Sequence, residues 1–260
     1  MTDTKMHSPL LDESDKSFWH GYLDFYGRLL PEVMNDPIVE FGVFHGHSIR
    51  WLLDTYPTAK IYGVDILQIQ PEWPTSDRVE YRCVDQSNER AVAEFFRSIA
   101  KPGMIIEDGS HIPSHQARCL RLGLEHLKQG GLYVLEDIHS SHPQHELYRE
   151  ELGETSPPNH AQQHPTVLSL LLCFEHLLRT GQSLNPQQLR QFATPGFMTE
   201  AQLKAMFAKI KRIEFFKRTT LPTRCYACNS TSFNYTDFKC ECGVDLMKVA
   251  DSMTVFIETH

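Results

Sequence analysis

The chain has 260 residues, with 25 Lys+Arg against 33 Asp+Glu and a formal net charge of −8. At 41% hydrophobic and 22% charged it can bury a sizeable core without staples, and its acidic balance argues against nucleic-acid binding, which needs a basic footprint. No run approaches the roughly 18 apolar residues of a membrane span and the N-terminus MTDTKMHSPLLDESDK lacks an apolar h-region, so no membrane partner and a cytoplasmic location are expected by default.

Residues 14–30 place apolar side chains at helical spacing behind an acidic start, which predicts a helix ending near Pro31, part of an N-terminal helical extension over residues 1–35. Short apolar runs at 38–43, 60–66, 103–107 and 132–137, and the alternating residues 79–84, read as strands. Helical patterns fall between them, among them SIRWLLDTY before Pro57, residues 88–99 and residues 113–128, the last stopping at Gly130-Gly131. This alternation predicts right-handed βαβ units in a Rossmann-like, doubly wound α/β fold. Residues 139–165 are rich in His, Pro, Gln and Glu and read as a long loop with one helical turn at most; region 139–200 is the expected lid or acceptor-binding part. Residues 166–180 and 198–210 are expected helices, and 211–220 and 252–259 expected strands.

The loop from Glu40 to Ser48 (EFGVFHGHS) joins the first strand to a helix. Gly42 and Gly46 let a ligand approach the backbone, Ser48 can help cap the helix, and Asp65 at the end of the next strand can accept from ribose hydroxyls. The pattern is E-x-G-x-x-x-G, not the dinucleotide fingerprint G-x-G-x-x-G. Glu40 would repel a pyrophosphate but suits a cationic sulfonium such as S-adenosylmethionine. A tight turn that binds nothing is the plain alternative.

Glu107-Asp108-Gly109-Ser110-His111 follows one strand and Glu136-Asp137 ends the next. Neighbouring strands lie about 4.8 Å apart, so these acids can converge. With no Lys or Arg nearby in sequence they call for a cation, and oxygen ligands favour Mg²⁺. His111 is of the right type for a general base, with His115 one helical turn away. Caps and solvated strand ends are the alternative.

Four motifs, V-E-F-G-V-F-H-G-x-S, V-D-Q-S, E-D-G-S-H and G-G-L-Y-V-L-E-D-I-H-S-S, occur in order over residues 36–142. Together they resemble the class I S-adenosylmethionine-dependent methyltransferases, and more narrowly the metal-dependent sugar O-methyltransferases of macrolide biosynthesis. The resemblance implies a single domain over 1–260, its mostly parallel sheet closed by a C-terminal antiparallel strand. It implies that Glu40, Gly42 and Gly46 line the methionine end of the cofactor, with Ser48 beside them, that Asp65 binds the ribose, and that Asp85 and Gln86 sit near the adenine. It further implies that Asp108, Glu136 and Asp137 hold Mg²⁺ and that His111, beside Asp108, is the catalytic base. The activity implied is Mg²⁺-dependent O-methylation of a hydroxylated small molecule, a sugar or another natural-product intermediate.

Of seven cysteines, Cys225, Cys228, Cys240 and Cys242 are bunched. C-x-x-C followed by C-x-C suits a tetrahedral structural Zn²⁺ site, with an iron–sulfur cluster, redox thiols or a disulfide, or ordinary free cysteines as alternatives. The segment 221–250 reads as a small zinc-binding insertion in the C-terminal hairpin, which departs from the sugar-methyltransferase pattern. It is expected to shape the acceptor pocket or a contact in a homo-oligomer. Between Lys204 and Arg224 seven basic residues accompany one acid, Glu214. They read as a solvated face or, alternatively, as a surface for an anionic partner. Two rival functions therefore stand beside the first: modification of nitrogen or of a macromolecule through the zinc module, and a non-methylating binding protein of the same fold.

Overall fold

The computed structural model describes residues 14–151 and 164–260. Its main sheet runs β3 (Val79–Cys83), β2 (Ile61–Asp65), β1 (Ile38–Phe41), β4 (Met104–Glu107), β5 (Leu132–Leu135), β9 (Met253–Thr259), β6 (Ile210–Lys217). The first five strands are parallel, and β9 is antiparallel to both β5 and β6. This is the expected doubly wound sheet with its antiparallel C-terminal strand.

The apolar strands face two ways because successive side chains alternate. Ile38, Met104, Ile106, Leu132 and Val134 join α2 (Tyr22–Leu29) and α3 (His47–Thr55) in one core. Val39, Ile105, Tyr133 and Leu135 join the helices of the other face. Those are α4 (Glu89–Ser98), α5 (Pro113–His126), α7 (Val167–Arg179), α8 (Pro186–Phe192) and α9 (Glu200–Lys209). Strands buried on both faces read as continuous apolar runs, which is why they were legible.

Three local expectations change. The helix expected over 14–30 is two helices, α1 (Asp15–Phe18) and α2, separated at Gly21, whose φ of 68° lies in the left-handed region that glycine tolerates. Segment 139–165 holds a 3-10 turn over Ile138–Ser141 and α6 (Glu146–Glu151), and its part 152–163 lies outside the described residues. Helix α8 was not expected, although Asn185 caps it and exchanges hydrogen bonds with Gln188, a signature present in the sequence. Helix α7 packs its Val167, Leu170, Leu171 and Phe174 into the core. Residues 221–250 lie between β6 and β9 and contain the short hairpin β7 (Phe233–Asn234) and β8 (Lys239–Cys240).

Candidate active site

The loops after β1, β2, β4 and β5 surround a cavity of about 590 Å³ outside the carboxyl ends of the strands. Gly42 has φ 87°, and a Cβ there would collide with the carbonyl of Asp108. Glycine is thus what lets the β1 and β4 loops touch. Asp65 braces the same wall: its Oδ2 accepts from the Val43 N–H at 2.8 Å and its Oδ1 from the Leu67 N–H at 2.9 Å. The exposed apolar side chains of Phe44, Ile66 and Leu67 line the cavity mouth.

Glu40 is fully buried, and neither of its oxygens has a hydrogen-bond partner. Burial pushes its carboxyl up to about 7, against the pull of Lys16 and Ser48. Ser48 does not cap α3: Gly46 holds the N-cap position in the left-handed region and no side chain caps the helix. Asp85 is exposed, accepts from both the N–H and the hydroxyl of Ser87, and lines the cavity. Gln86 turns inward, donating to Glu107 Oε1 at 2.7 Å and accepting from the Ser110 N–H at 2.8 Å, so it ties the β3 loop to the β4 loop.

Asp108, His111 and Asp137 offer atoms within 4.8 Å of one another, a group able to hold a metal ion. His111 Nε2 lies 3.8 Å from Asp108 Oδ1 and 3.9 Å from Asp137 Oδ2. Both His111 (φ 56°) and Asp137 (φ 49°) occupy the left-handed region, a cost that packing around them must offset. Burial alone would lower the His111 pKa, but Asp137, Asp108 and Glu107 outweigh it and the net direction is up. Burial works to raise Asp137, yet His20, His111, His139 and the Tyr22 hydroxyl hold it below the usual carboxylate range. Burial pushes His139 down to about 4.

Glu136 is not drawn into this group. Its Oε1 accepts from Lys16 Nζ at 2.7 Å and from the Tyr26 hydroxyl. Burial, and then Asp108, raise its pKa well above the ordinary value. The expectation that no basic side chain neutralises the acids is overturned by Lys16, whose Nζ also lies 2.5 Å from Asp108 Oδ2. Lys16, Tyr22 and Tyr26 are the residues that sequence reasoning missed. The i, i+4 spacing of the two tyrosines marks one helix face, but nothing local shows what that face meets. His115 lies beside Ser110, its Nδ1 2.9 Å from the hydroxyl, rather than beside His111's carboxylates.

A second cavity of about 600 Å³ shares Asp15 and His20 with the first. Its walls are polar: His139, Gln144, His145 and Glu146 from the segment after β5, and Tyr226, Asp245, Lys248 and Asp251 from the long β6–β9 connection.

The four bunched cysteines converge as well. Cys225 and Cys242 sulfurs are 3.7 Å apart, and Cys228 and Cys240 sulfurs 3.4 Å. A tetrahedral Zn²⁺ with Zn–S bonds of about 2.3 Å spaces its sulfurs by about 3.8 Å, so the set fits the ion. Each half turns tightly on a left-handed residue, Asn229 after the first pair and Gly243 after the second. The Val244 N–H draws the Cys242 thiol down to about 7, toward the thiolate a metal requires.

Residues 39–138 match a family described as a methyltransferase domain. This part of the chain is a methyltransferase domain. The domain is similar to mycinamicin VI 2''-O-methyltransferase of Micromonospora griseorubida, 28% identical over 132 residues, covering 46% of this chain and 32% of that protein. It is also similar to L-olivosyl-oleandolide 3-O-methyltransferase of Streptomyces antibioticus, 30% identical over 146 residues, covering 50% of this chain and 36% of that protein. The matches thus span only 32% and 36% of those relatives' own length. A solved structure, the MycE methyltransferase of the mycinamycin biosynthetic pathway in complex with Mg, SAH and mycinamycin VI, superposes with a TM-score of 0.60 at 18% identity. That superposition covers 98% of this chain and 52% of the other, and its likeness is one of fold. Among the described residues no helix is long and apolar enough to cross a membrane.

Proposed function

We propose that the methyltransferase domain transfers a methyl group from S-adenosylmethionine to a hydroxyl of a small hydroxylated molecule, with Mg²⁺ bound. The observation that carries this reading is the convergence of Asp108, His111 and Asp137 at one end of a cavity of about 590 Å³ whose wall holds the buried carboxylate of Glu40. That cavity is of the size small-molecule and cofactor sites have. Glu40 and the backbone around Gly42 and Gly46 take the methionine end of the cofactor, and Asp65 and Asp85 the nucleoside end.

Asp108 and Asp137 would hold the metal through hard carboxylate oxygens, which suit Mg²⁺. When bound, the ion supplies Lewis acidity that lowers the pKa of an acceptor hydroxyl. The chain's own groups do the rest. His111 takes the hydroxyl proton at Nε2, and the carboxylates on either side stabilise the imidazolium that forms. The loops after β1 and β4 line the cavity and would position the acceptor hydroxyl against the methyl donor, where positioning is worth many kcal/mol. The second cavity, which meets the first at Asp15 and His20, receives the acceptor, and its polar walls suit a molecule rich in hydroxyls.

The four-cysteine module would hold a structural Zn²⁺ and wall that acceptor cavity through Tyr226, Asp245 and Lys248. A macromolecule-binding role draws little support from the basic stretch, since four of its seven basic side chains pair with acids of the chain. Lys204 pairs with Glu200, Lys211 and Arg212 with Glu258, and Arg218 with Asp251. Lys209 and Lys217 donate to backbone carbonyls, and Arg224 lies over the Phe18 ring.

The test pairs calorimetric titration of S-adenosylhomocysteine with a methyl-transfer assay on a panel of glycosylated and catechol-type acceptors, each with EDTA and with EDTA then excess Mg²⁺. Cofactor binding with turnover lost in EDTA and restored by Mg²⁺ is expected. Full turnover in EDTA would remove the metal, and no cofactor binding would remove the methyltransferase reading.

A further inference from the structure

Lys16 enters a group of carboxylates that arrive from three strands. Its Nζ lies 2.5 Å from Asp108 Oδ2, 2.7 Å from Glu136 Oε1 and 3.7 Å from Glu40 Oε1, with only 8% of the side chain exposed. Among the described residues no other lysine or arginine pairs with Glu40 or Glu136. The two oxygens of Asp108 thus face different cations: Oδ2 meets Lys16, while Oδ1 points toward His111 and the Asp137 side.

Helix α1, which carries Lys16, has four residues and is too short to persist by itself. The four-cysteine module holds it. Trp19 shares a separate apolar cluster with Cys225, Cys240 and Leu246. Tyr226 meets the Trp19 ring edge-on at 4.6 Å, and the Arg218 guanidinium lies 4.8 Å from its centroid. The Thr223 N–H donates to the Phe18 carbonyl at 2.9 Å.

We infer that Lys16 is a built-in positioning cation, delivered by the four-cysteine clasp, which engages Glu40 and Glu136 and reserves the divalent ion for the Asp108–Asp137 side. The inference rests on the metal-dependent reading above. Its physical basis is exclusion: an ammonium already sits between Asp108 and Glu136, and a second cation cannot share that place without like-charge contact. The carboxyl ends of β1, β4 and β5 supply five buried or half-buried acids, Glu40, Glu107, Asp108, Glu136 and Asp137. Without Lys16, Asp108 and Glu136 form a chelating pair of their own.

The test uses Mn²⁺ as probe, followed by electron paramagnetic resonance on the full chain without cofactor, with zinc content measured in parallel. Asp137→Asn should weaken Mn²⁺ binding by at least about tenfold, whereas Glu136→Gln should leave it unchanged. Lys16→Met should tighten Mn²⁺ binding by at least about tenfold as Glu136 becomes a ligand, and the gain should vanish in Lys16→Met with Glu136→Gln. Lys16→Arg, which keeps the charge, should retain the parental affinity. Trp19→Ala should reproduce the tightening with zinc still bound.

If Glu136→Gln weakens binding as Asp137→Asn does, or Lys16→Met leaves it unchanged or weaker, the inference falls while the metal reading stands. Parental affinity in Trp19→Ala removes the clasp. A parent chain that binds no Mn²⁺ overturns the metal reading and this inference with it. Should Lys16→Met fail to fold, Glu136→Gln against Asp137→Asn decides in the parent background.

Discussion

Tyr22 donates its hydroxyl to Asp137 Oδ1 at 2.6 Å, joining the N-terminal helix α2 to the end of β5. One helical turn later Tyr26 does the same for Glu136, the preceding residue of that strand end. A helix on one face of the sheet thereby holds two neighbouring carboxylates in different directions. Asp137 stays toward His111, and Glu136 is kept with Lys16. Hydrogen bonds to ionised groups are worth about 1.5–3 kcal/mol. Tyr22→Phe should therefore lower stability by about that amount in urea titrations. An unchanged midpoint would show that the hydroxyl carries nothing.

His111 is expected to move the acceptor proton and to touch neither end of the cofactor. His111→Ala should then reduce turnover by about a hundredfold to ten-thousandfold, with calorimetric affinity for S-adenosylhomocysteine unchanged. A variant that turns over normally would end the base assignment.

The four cysteines predict a single zinc ion per chain, measurable by elemental analysis of the purified protein. Cys240 is buried against Trp19 and Leu246, so Cys240→Ser should lose the zinc and lower the melting temperature, because metal binding is part of the module's folding free energy. Cys83 is exposed, and Cys83→Ser should keep the zinc. Equal zinc in both variants would dismiss the site.

Glu40 makes stability depend on pH in a direction that can be worked out. Its folded carboxyl is raised from 4.5 to about 7 by burial. Across that window the folded chain keeps a proton that the unfolded chain has released, so Glu40 lowers stability as pH rises through it. Glu40→Gln should match the parent near pH 4.5 and exceed it by about 2–3 kcal/mol at pH 8 without cofactor. Parallel stability curves for the two chains would contradict the shift. The same strain is what a sulfonium or ammonium of the cofactor would relieve.

The order of elements was readable because each is announced by its neighbours in sequence. Apolar runs of four or five residues gave four of the five parallel strands, the alternating pattern over Val79–Cys83 gave the fifth, and helical spacing marked residues 88–99 and 198–210. The acids at the ends of β2, β4 and β5 had to collect at one edge once the strands were parallel. Spacing alone also bunched Cys225, Cys228, Cys240 and Cys242.

Only the tertiary structure decided how those groups face one another. Lys16 reaches Asp108 across 92 positions and Glu136 across 120, and Thr223 reaches Phe18 across 205. Periodicity and capping report on the nearest few residues, so no local pattern marks such partners. Adjacent Glu136 and Asp137 must point to different sides of a strand end, but which side meets a lysine and which a histidine depends on the helix packed beneath. The sequence by itself determined the sheet, the edge where its acids gather and the cysteine set. The packing of α1 and α2 decided which acid meets Lys16 and which faces His111, because charge is apportioned by distance in space and not by order along the chain.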